Sequence, residues 1–183
     1  MRRVSLWLCS ATIGAALLAG FSYAQSPASA QNAAPAPKME VHATLAQLMR
    51  GILYPASNVV FAAQSDDPAK VKPAANPSMS PDLLSSTYGQ WQAVENSALA
   101  IAETANLLTL PGRKCSNGLD VPVRNGDWAK FVQELRAAGL AAYKAAQSKN
   151  QDEIVTAADP LTTACSNCHE KYREKPNLSE RCK

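Results

Sequence analysis

The stretch Ile154–Arg173, IVTAADPLTTACSNCHEKYR, carries its apolar side chains at steps of four and three residues. That spacing is typical of one face of an α-helix. We predict a helix that begins near Asn150 and is kinked or divided at Pro160, where the ring disturbs the hydrogen-bond ladder. Its apolar face is Ile154, Ala158, Leu161, Cys165, Cys168 and Tyr172. The face therefore directs two thiols, one turn apart, towards the protein interior.

Three more helices are predicted upstream, and no segment alternates in the way that predicts a strand. The first begins near Val41 and passes Pro55, which kinks or restarts it. The second begins at Ser80-Pro81 and ends before Pro111-Gly112, and Asp127 caps the third. The fold class is therefore all-α. Short connections between long helices favour an antiparallel, up-down-up-down four-helix bundle.

The first 24 residues have the three parts of a secretory signal peptide. Arg2 and Arg3 precede a short apolar run, and small residues lead up to a cleavage site near Ala24. An uncleaved N-terminal anchor is the alternative. Residues 25–39 are rich in Ala, Pro, Ser and Gln and predict a disordered leader, so the folded domain spans 40–183. We expect a periplasmic protein whose mature form has no membrane span.

Composition narrows the function classes. Without the signal peptide, the chain has 16 basic and 15 acidic side chains. This near balance of charge gives no indication of a nucleic-acid partner. No nucleophile–base pair or pair of carboxylates is apparent, so we do not expect an enzyme. Export places the remaining cysteines in an oxidising compartment, where each needs an explanation.

The C-x-x-C-H motif at Cys165–His169 favours a covalently bound haem. Two thiols on one helical face can bond the two vinyl groups on one porphyrin edge, and the adjacent imidazole can reach the iron. Three alternatives remain: a structural zinc site, a redox-active dithiol, and a Cys165–Cys168 disulfide in a haem-free structural bundle. Zinc needs four ligands, a dithiol of this kind usually follows a strand, and a disulfide leaves His169 unexplained.

The motif continues to Tyr172-Arg173 and lies close to the end of a four-helix chain, and in this it resembles the cytochrome c′ family. The resemblance covers residues 40–175 and is specific over 165–173. It implies one covalent haem c, thioether bonds at Cys165 and Cys168, a proximal iron bond from His169, and Arg173 near a propionate. It implies a single-electron carrier or, as the alternative, a five-coordinate protein that binds nitric oxide or carbon monoxide. Related proteins are often homodimers.

The other side of the iron is expected to face the first helix, because the start of that helix and the end of the fourth lie at the same end of such a bundle. Met49 and His42 are the candidate sixth ligands, with Met49 preferred. Superposition on the similar family places Leu45 or Ala46 at the distal position instead. Met49 as a core residue and His42 as a surface residue are the alternatives. Trp91, Trp128 and Tyr143 are expected in the core or beside the haem.

Two cysteines remain, Cys115 in the loop before the third helix and Cys182 in the tail. Both follow helices that end at the same end of the bundle, so we predict a Cys115–Cys182 disulfide; free or intermolecular thiols are the alternative. The tail also carries a small excess of basic residues. These residues either form a solvated surface or orient an acidic redox partner protein, whose identity the sequence does not give.

Overall fold

The computed structural model describes residues 38–182, and in that range it contains four helices and no strand. The all-α prediction is confirmed. Helix α1 comprises Leu45–Leu48, Met49–Leu53 and Tyr54–Ala62 in succession; α2 is Gln90–Leu107, α3 is Gly126–Ser148 and α4 is Gln151–Tyr172. The predicted signal peptide and all but the last two residues of the predicted leader lie outside the described residues. Within those residues no helix is both long and apolar enough to cross a membrane.

Helix α1 starts at a capping box and changes its winding before a proline. The Thr44 hydroxyl accepts from the Gln47 amide (3.2 Å), while the Gln47 side chain accepts from the Thr44 amide (2.8 Å). Val41, near which the first helix was predicted to begin, therefore lies before the helix. The Met49–Leu53 segment is π-helical, with the Tyr54 amide bonded to the Met49 carbonyl. This wider turn makes room for Pro55, whose ring would collide with a carbonyl four residues earlier in a regular α-helix.

Helix α2 begins ten residues later than predicted, at Gln90 rather than near Ser80. The Asp82 carboxylate accepts from the Leu84 amide (3.0 Å) and caps only the single 3₁₀ turn Leu83–Ser85. A bend at Ser86 and a turn at Thr87 and Tyr88 then lead to Gly89. A Cβ at Gly89 would lie 2.8 Å from the Ser86 carbonyl oxygen and closer still to that of Leu84, so the approach to α2 requires glycine.

Helices α3 and α4 lie where they were predicted. Asn125 occupies the N-cap position of α3, two residues before the expected Asp127, and the Asn150 side chain caps α4 by accepting from the Asp152 amide (2.9 Å). Pro160 does not divide α4, which continues through it. Helix α3 packs along both α2 and α4, and α1 packs against α2, whereas α1 and α4 make few contacts. The space between α1 and α4 holds the site described next.

Candidate functional site

A cavity of about 460 Å³ opens between α1, α3 and the last turns of α4. Its walls are mainly apolar. The lining from α1 is Leu45, Ala46, Met49, Arg50, Leu53, Tyr54, Ser57, Asn58 and Phe61. From α2 and α3, and the residue after α2, come Ile101, Leu108, Trp128, Phe131, Val132 and Leu135. From α4 and the tail come Leu161, Ala164, Cys165, Cys168, His169, Tyr172, Arg173 and Cys182.

The cavity brings together the site residues of two distant parts of the sequence. Cys165, Cys168, His169 and Arg173 line it from α4, and Met49 lines it from α1. His42 does not line it. The His42 side chain is 83% exposed and lies 3.7 Å from the Glu40 carboxylate, before α1 begins. The structure thus places Met49 at the candidate site and His42 away from it.

The two thiols are free, half-buried and uncharged at neutral pH. Burial raises the pKa of Cys165, and burial, with Cys165 and Asp127 nearby, raises the pKa of Cys168 to about 11. Disulfide oxidoreductases need the opposite, a thiol with a lowered pKa that forms the attacking thiolate. The surroundings of Cys165 and Cys168 therefore do not favour the redox-dithiol alternative.

His169 is half-buried beside the thiols, and its pKa is lowered. Burial is the main cause, and the Arg173 guanidinium adds to it, while Glu174 opposes both. Below its ordinary value of about 6.5, such a pKa leaves the imidazole neutral at pH 7. Neutral imidazole is the form that binds a metal ion.

Three aromatic rings form one wall of the cavity. Tyr172 packs edge-on against Trp128, with ring centroids 5.1 Å apart, and against Phe131 at 6.3 Å. The Tyr172 hydroxyl donates to the Asp127 carboxylate (2.6 Å), and the Trp128 indole donates to the Leu108 carbonyl (3.0 Å). Both polar atoms thus have partners, and the rings offer the cavity an apolar surface. Of the three predicted core or haem-packing aromatics, only Trp128 lines the cavity; Trp91 and Tyr143 do not.

Several lining residues were not predicted from the sequence. Arg50 lines the cavity from the π-helical part of α1, and Tyr54 lines it from the residue that follows. Their nearness to the candidate ligand Met49 was the available signal, but whether residues one and five positions from Met49 face the same side depends on the winding of the helix. Phe131 was not singled out either, because the apolar periodicity of a helix does not distinguish a cavity wall from a packed core.

The C-terminal tail closes one end of the site. Cys182 lines the cavity and is joined to Cys115 by a disulfide, with their Cα atoms 4.9 Å apart. The Cys182 amide donates to the Tyr172 carbonyl (2.9 Å), and the Asn117 side chain donates to the carbonyls of Ser179 (3.0 Å) and Arg181 (2.8 Å). Loop and tail are therefore tied together by both covalent and hydrogen bonds.

Within residues 38–182, no group of three or more His, Cys, Asp and Glu side chains is arranged to hold a metal ion. Comparisons with protein-family models, curated proteins and solved structures gave no match to this chain.

Proposed function

We propose that this protein is a periplasmic, monohaem c-type cytochrome of the cytochrome c′ kind, which passes single electrons and is not an enzyme. One observation carries the proposal: all five residues of the proposed haem site line a single apolar cavity, four from the C-x-x-C-H region and one from α1. Its volume, about 460 Å³, lies within the range of about 300–1,000 Å³ that is usual for small-molecule sites.

The residues present fit a haem c. Cys165 and Cys168, as uncharged thiols on one helical face, would form the two thioether bonds, and neutral His169 would bind the iron from the proximal side. Arg173 and Arg50 both line the cavity and would face the propionate carboxylates. The haem supplies the one-electron chemistry, and the aromatic and aliphatic walls exclude water from it.

The bundle topology belongs to the same proposal. An up-down-up-down arrangement brings the start of α1 beside the end of α4. The joint lining of one cavity by Leu45, Met49 and His169 supports this arrangement. So do the packing of α2 on α3 and of α3 on α4.

Export and partners complete the proposal. In this proposal the N-terminal 24 residues act as a signal peptide, and the haem domain begins at residue 40. The partner is a redox protein, with no nucleic acid involved and no membrane span in the mature form, and the resemblance to the cytochrome c′ family suggests a homodimer. Basic side chains around Arg173 and Arg181 would orient an acidic partner near the haem edge.

A five-coordinate, gas-binding protein is the second candidate. The α1 wall supports it, because Leu45 and Ala46 line the cavity with buried aliphatic groups that cannot bind iron. Met49, half-buried on the same wall, supports a sixth ligand and hence the electron carrier.

Absorption spectra of the purified ferric and ferrous protein test both candidates. Expression must include c-type haem maturation. Sharp low-spin bands that carbon monoxide leaves unchanged support the electron carrier, and Met49→Leu should then convert the spectrum to high-spin. A high-spin ferrous spectrum that changes on adding carbon monoxide supports gas binding, and an unchanged spectrum in Met49→Leu removes Met49 as a ligand. No haem absorption at all would refute both.

A further inference from the structure

Arg113 is a charged side chain buried at the base of the loop between α2 and α3. It is only 4% exposed, and no carboxylate of residues 38–182 is bonded to it. Its Nη1 donates to the Ala43 carbonyl (2.6 Å) and its Nη2 to the Leu107 carbonyl (3.1 Å). Its Nε is buried without a hydrogen-bond partner in the described part of the chain, and burial lowers the pKa of the guanidinium.

The burial of the Arg113 guanidinium is an unfavourable way to stabilise the fold. Burying a cation without a counter-ion is unfavourable, and a buried donor without a partner adds to that penalty. The Leu107 carbonyl compensates in part, because it lies in the last turn of α2, where the helix dipole attracts a cation. An aliphatic side chain would fill the same position without the penalty, so the bonds themselves need an explanation.

The bond to Ala43 lies at the beginning of α1, and the bond to Leu107 lies at the end of α2. Ala43 directly precedes the Thr44 N-cap, and the amide of Leu45 donates to the carbonyl of Lys114, next to Arg113 (2.8 Å). Residues 113 and 114 thus hold the chain on both sides of the N-cap. Leu45 and Ala46 follow immediately and line the cavity, and Met49 lies one turn further on.

We propose that Arg113 is a positioning residue, which ties the first turn of α1 to the end of α2 and thereby fixes the α1 wall of the cavity. The inference rests on the proposed function in one respect: in the proposed haem site, this wall would govern the approach of Met49 or of a small ligand to the iron. Arg113 does not line the cavity and acts only through α1.

Amide hydrogen exchange of the full-length protein tests the positioning role directly. In Arg113→Gln, amides of the first turn of α1 (residues 45–48) should exchange roughly tenfold to a hundredfold faster, because hydrogen bonds to a charged group are lost there. Amides in the middle of α3 should be unaffected. Arg124→Gln is the matched control, since Arg124 is an exposed arginine in the same loop and its removal changes the net charge equally.

A ligand-binding readout tests the consequence. In a five-coordinate protein, the rate of carbon monoxide binding to the ferrous haem should change severalfold in Arg113→Gln and stay the same in Arg124→Gln. In a protein with Met49 as the sixth ligand, Arg113→Gln should instead lower the fraction of low-spin haem, and Arg124→Gln should not. Unchanged exchange at residues 45–48, exchange accelerated equally in α3, or an unchanged haem readout of the kind that applies would each overturn the inference. If no haem is attached, the proposed function fails by itself, and the exchange experiment still decides whether Arg113 positions α1.

Arg113→Lys covers the case in which the glutamine variant does not fold. Lysine keeps the positive charge, but its single nitrogen does not reproduce the forked pair of bonds to Ala43 and Leu107. Exchange at residues 45–48 should then be faster than in wild type while α3 stays protected. Equal loss of protection in both helices would identify Arg113 as a general stability residue and reject the positioning role.

Discussion

At the scale of single residues, His169 and His42 make a matched pair for testing the iron ligand. Both were visible in the sequence, but only His169 lines the cavity, whereas His42 is exposed. His169→Ala should leave the haem attached through the thioethers of Cys165 and Cys168 and change its absorption spectrum, because the proximal ligand is gone. His42→Ala should leave the spectrum as in wild type. A wild-type spectrum in His169→Ala would contradict the ligand assignment.

The hydrogen bond from Tyr172 to Asp127 predicts a pH-dependent contribution to stability. Accepting this bond is the main reason that the pKa of Asp127 is lowered, and burial, followed by Asp127, raises the pKa of Tyr172 to about 12. A carboxyl whose pKa is lowered in the folded state stabilises the fold above its unfolded pKa of about 4. That stabilisation is lost as the pH falls through the lower folded value.

Tyr172→Phe should therefore unfold at lower urea concentration than wild type at pH 7, with the difference shrinking as the pH is lowered below about 4. The ring and its packing on Trp128 remain in the variant. Tyr143→Phe is the control, because the Tyr143 hydroxyl bonds an exposed neutral side chain, Gln147, and should show no such dependence. If wild type and Tyr172→Phe differ in urea midpoint by the same amount at pH 7 and at the lowest pH, the Asp127 carboxylate is not responsible for the difference.

At the scale of helices, two glycines have opposite surroundings. A Cβ at Gly139 of α3 would lie 2.9 Å from the backbone nitrogen of Ala102 in α2, whereas a Cβ at Gly51 of α1 would meet nothing within 4 Å. Gly139→Ala should therefore push α2 and α3 apart and lower the free energy of unfolding by about 1–3 kcal/mol. Gly51→Ala should be neutral or raise it by up to about 1 kcal/mol. Thermal or urea unfolding compares them, and equal effects would contradict the close α2–α3 approach.

The helices also show what the sequence could and could not predict. Asn150 and the apolar steps after it are local signals, and they located α4 correctly. Ser80-Pro81 is also a helix-start signal, but here only a 3₁₀ turn follows, and α2 begins after Gly89, which packs against the carbonyls of Leu84 and Ser86. That packing involves backbone atoms and leaves no periodic pattern in the sequence. The C-x-x-C-H residues could be named in advance because their motif is local. Arg50 and Tyr54 could not, because their place in the cavity wall depends on the path of α1.

At the scale of the whole molecule, the Cys115–Cys182 disulfide ties the tail to the α2–α3 loop across a sequence separation of 67. The chain-entropy model assigns such a loop about 4 kcal/mol of stability. The Cys115→Ala/Cys182→Ala double variant should lose about that much in urea unfolding. Reductant should have the same effect on wild type and none on the double variant, since thioether bonds are not reducible. A wild-type protein insensitive to reductant would contradict a stabilising bridge.

The proposed function requires one haem bound covalently at Cys165 and Cys168, and the mass of the denatured protein shows whether it is there. Denaturation removes any haem that is held only by iron ligation or packing, whereas thioether bonds survive it. After expression with c-type haem maturation, we expect the mass of the polypeptide plus one haem, and the polypeptide mass alone for Cys165→Ala/Cys168→Ala. A wild-type mass equal to that of the polypeptide alone would contradict covalent haem attachment.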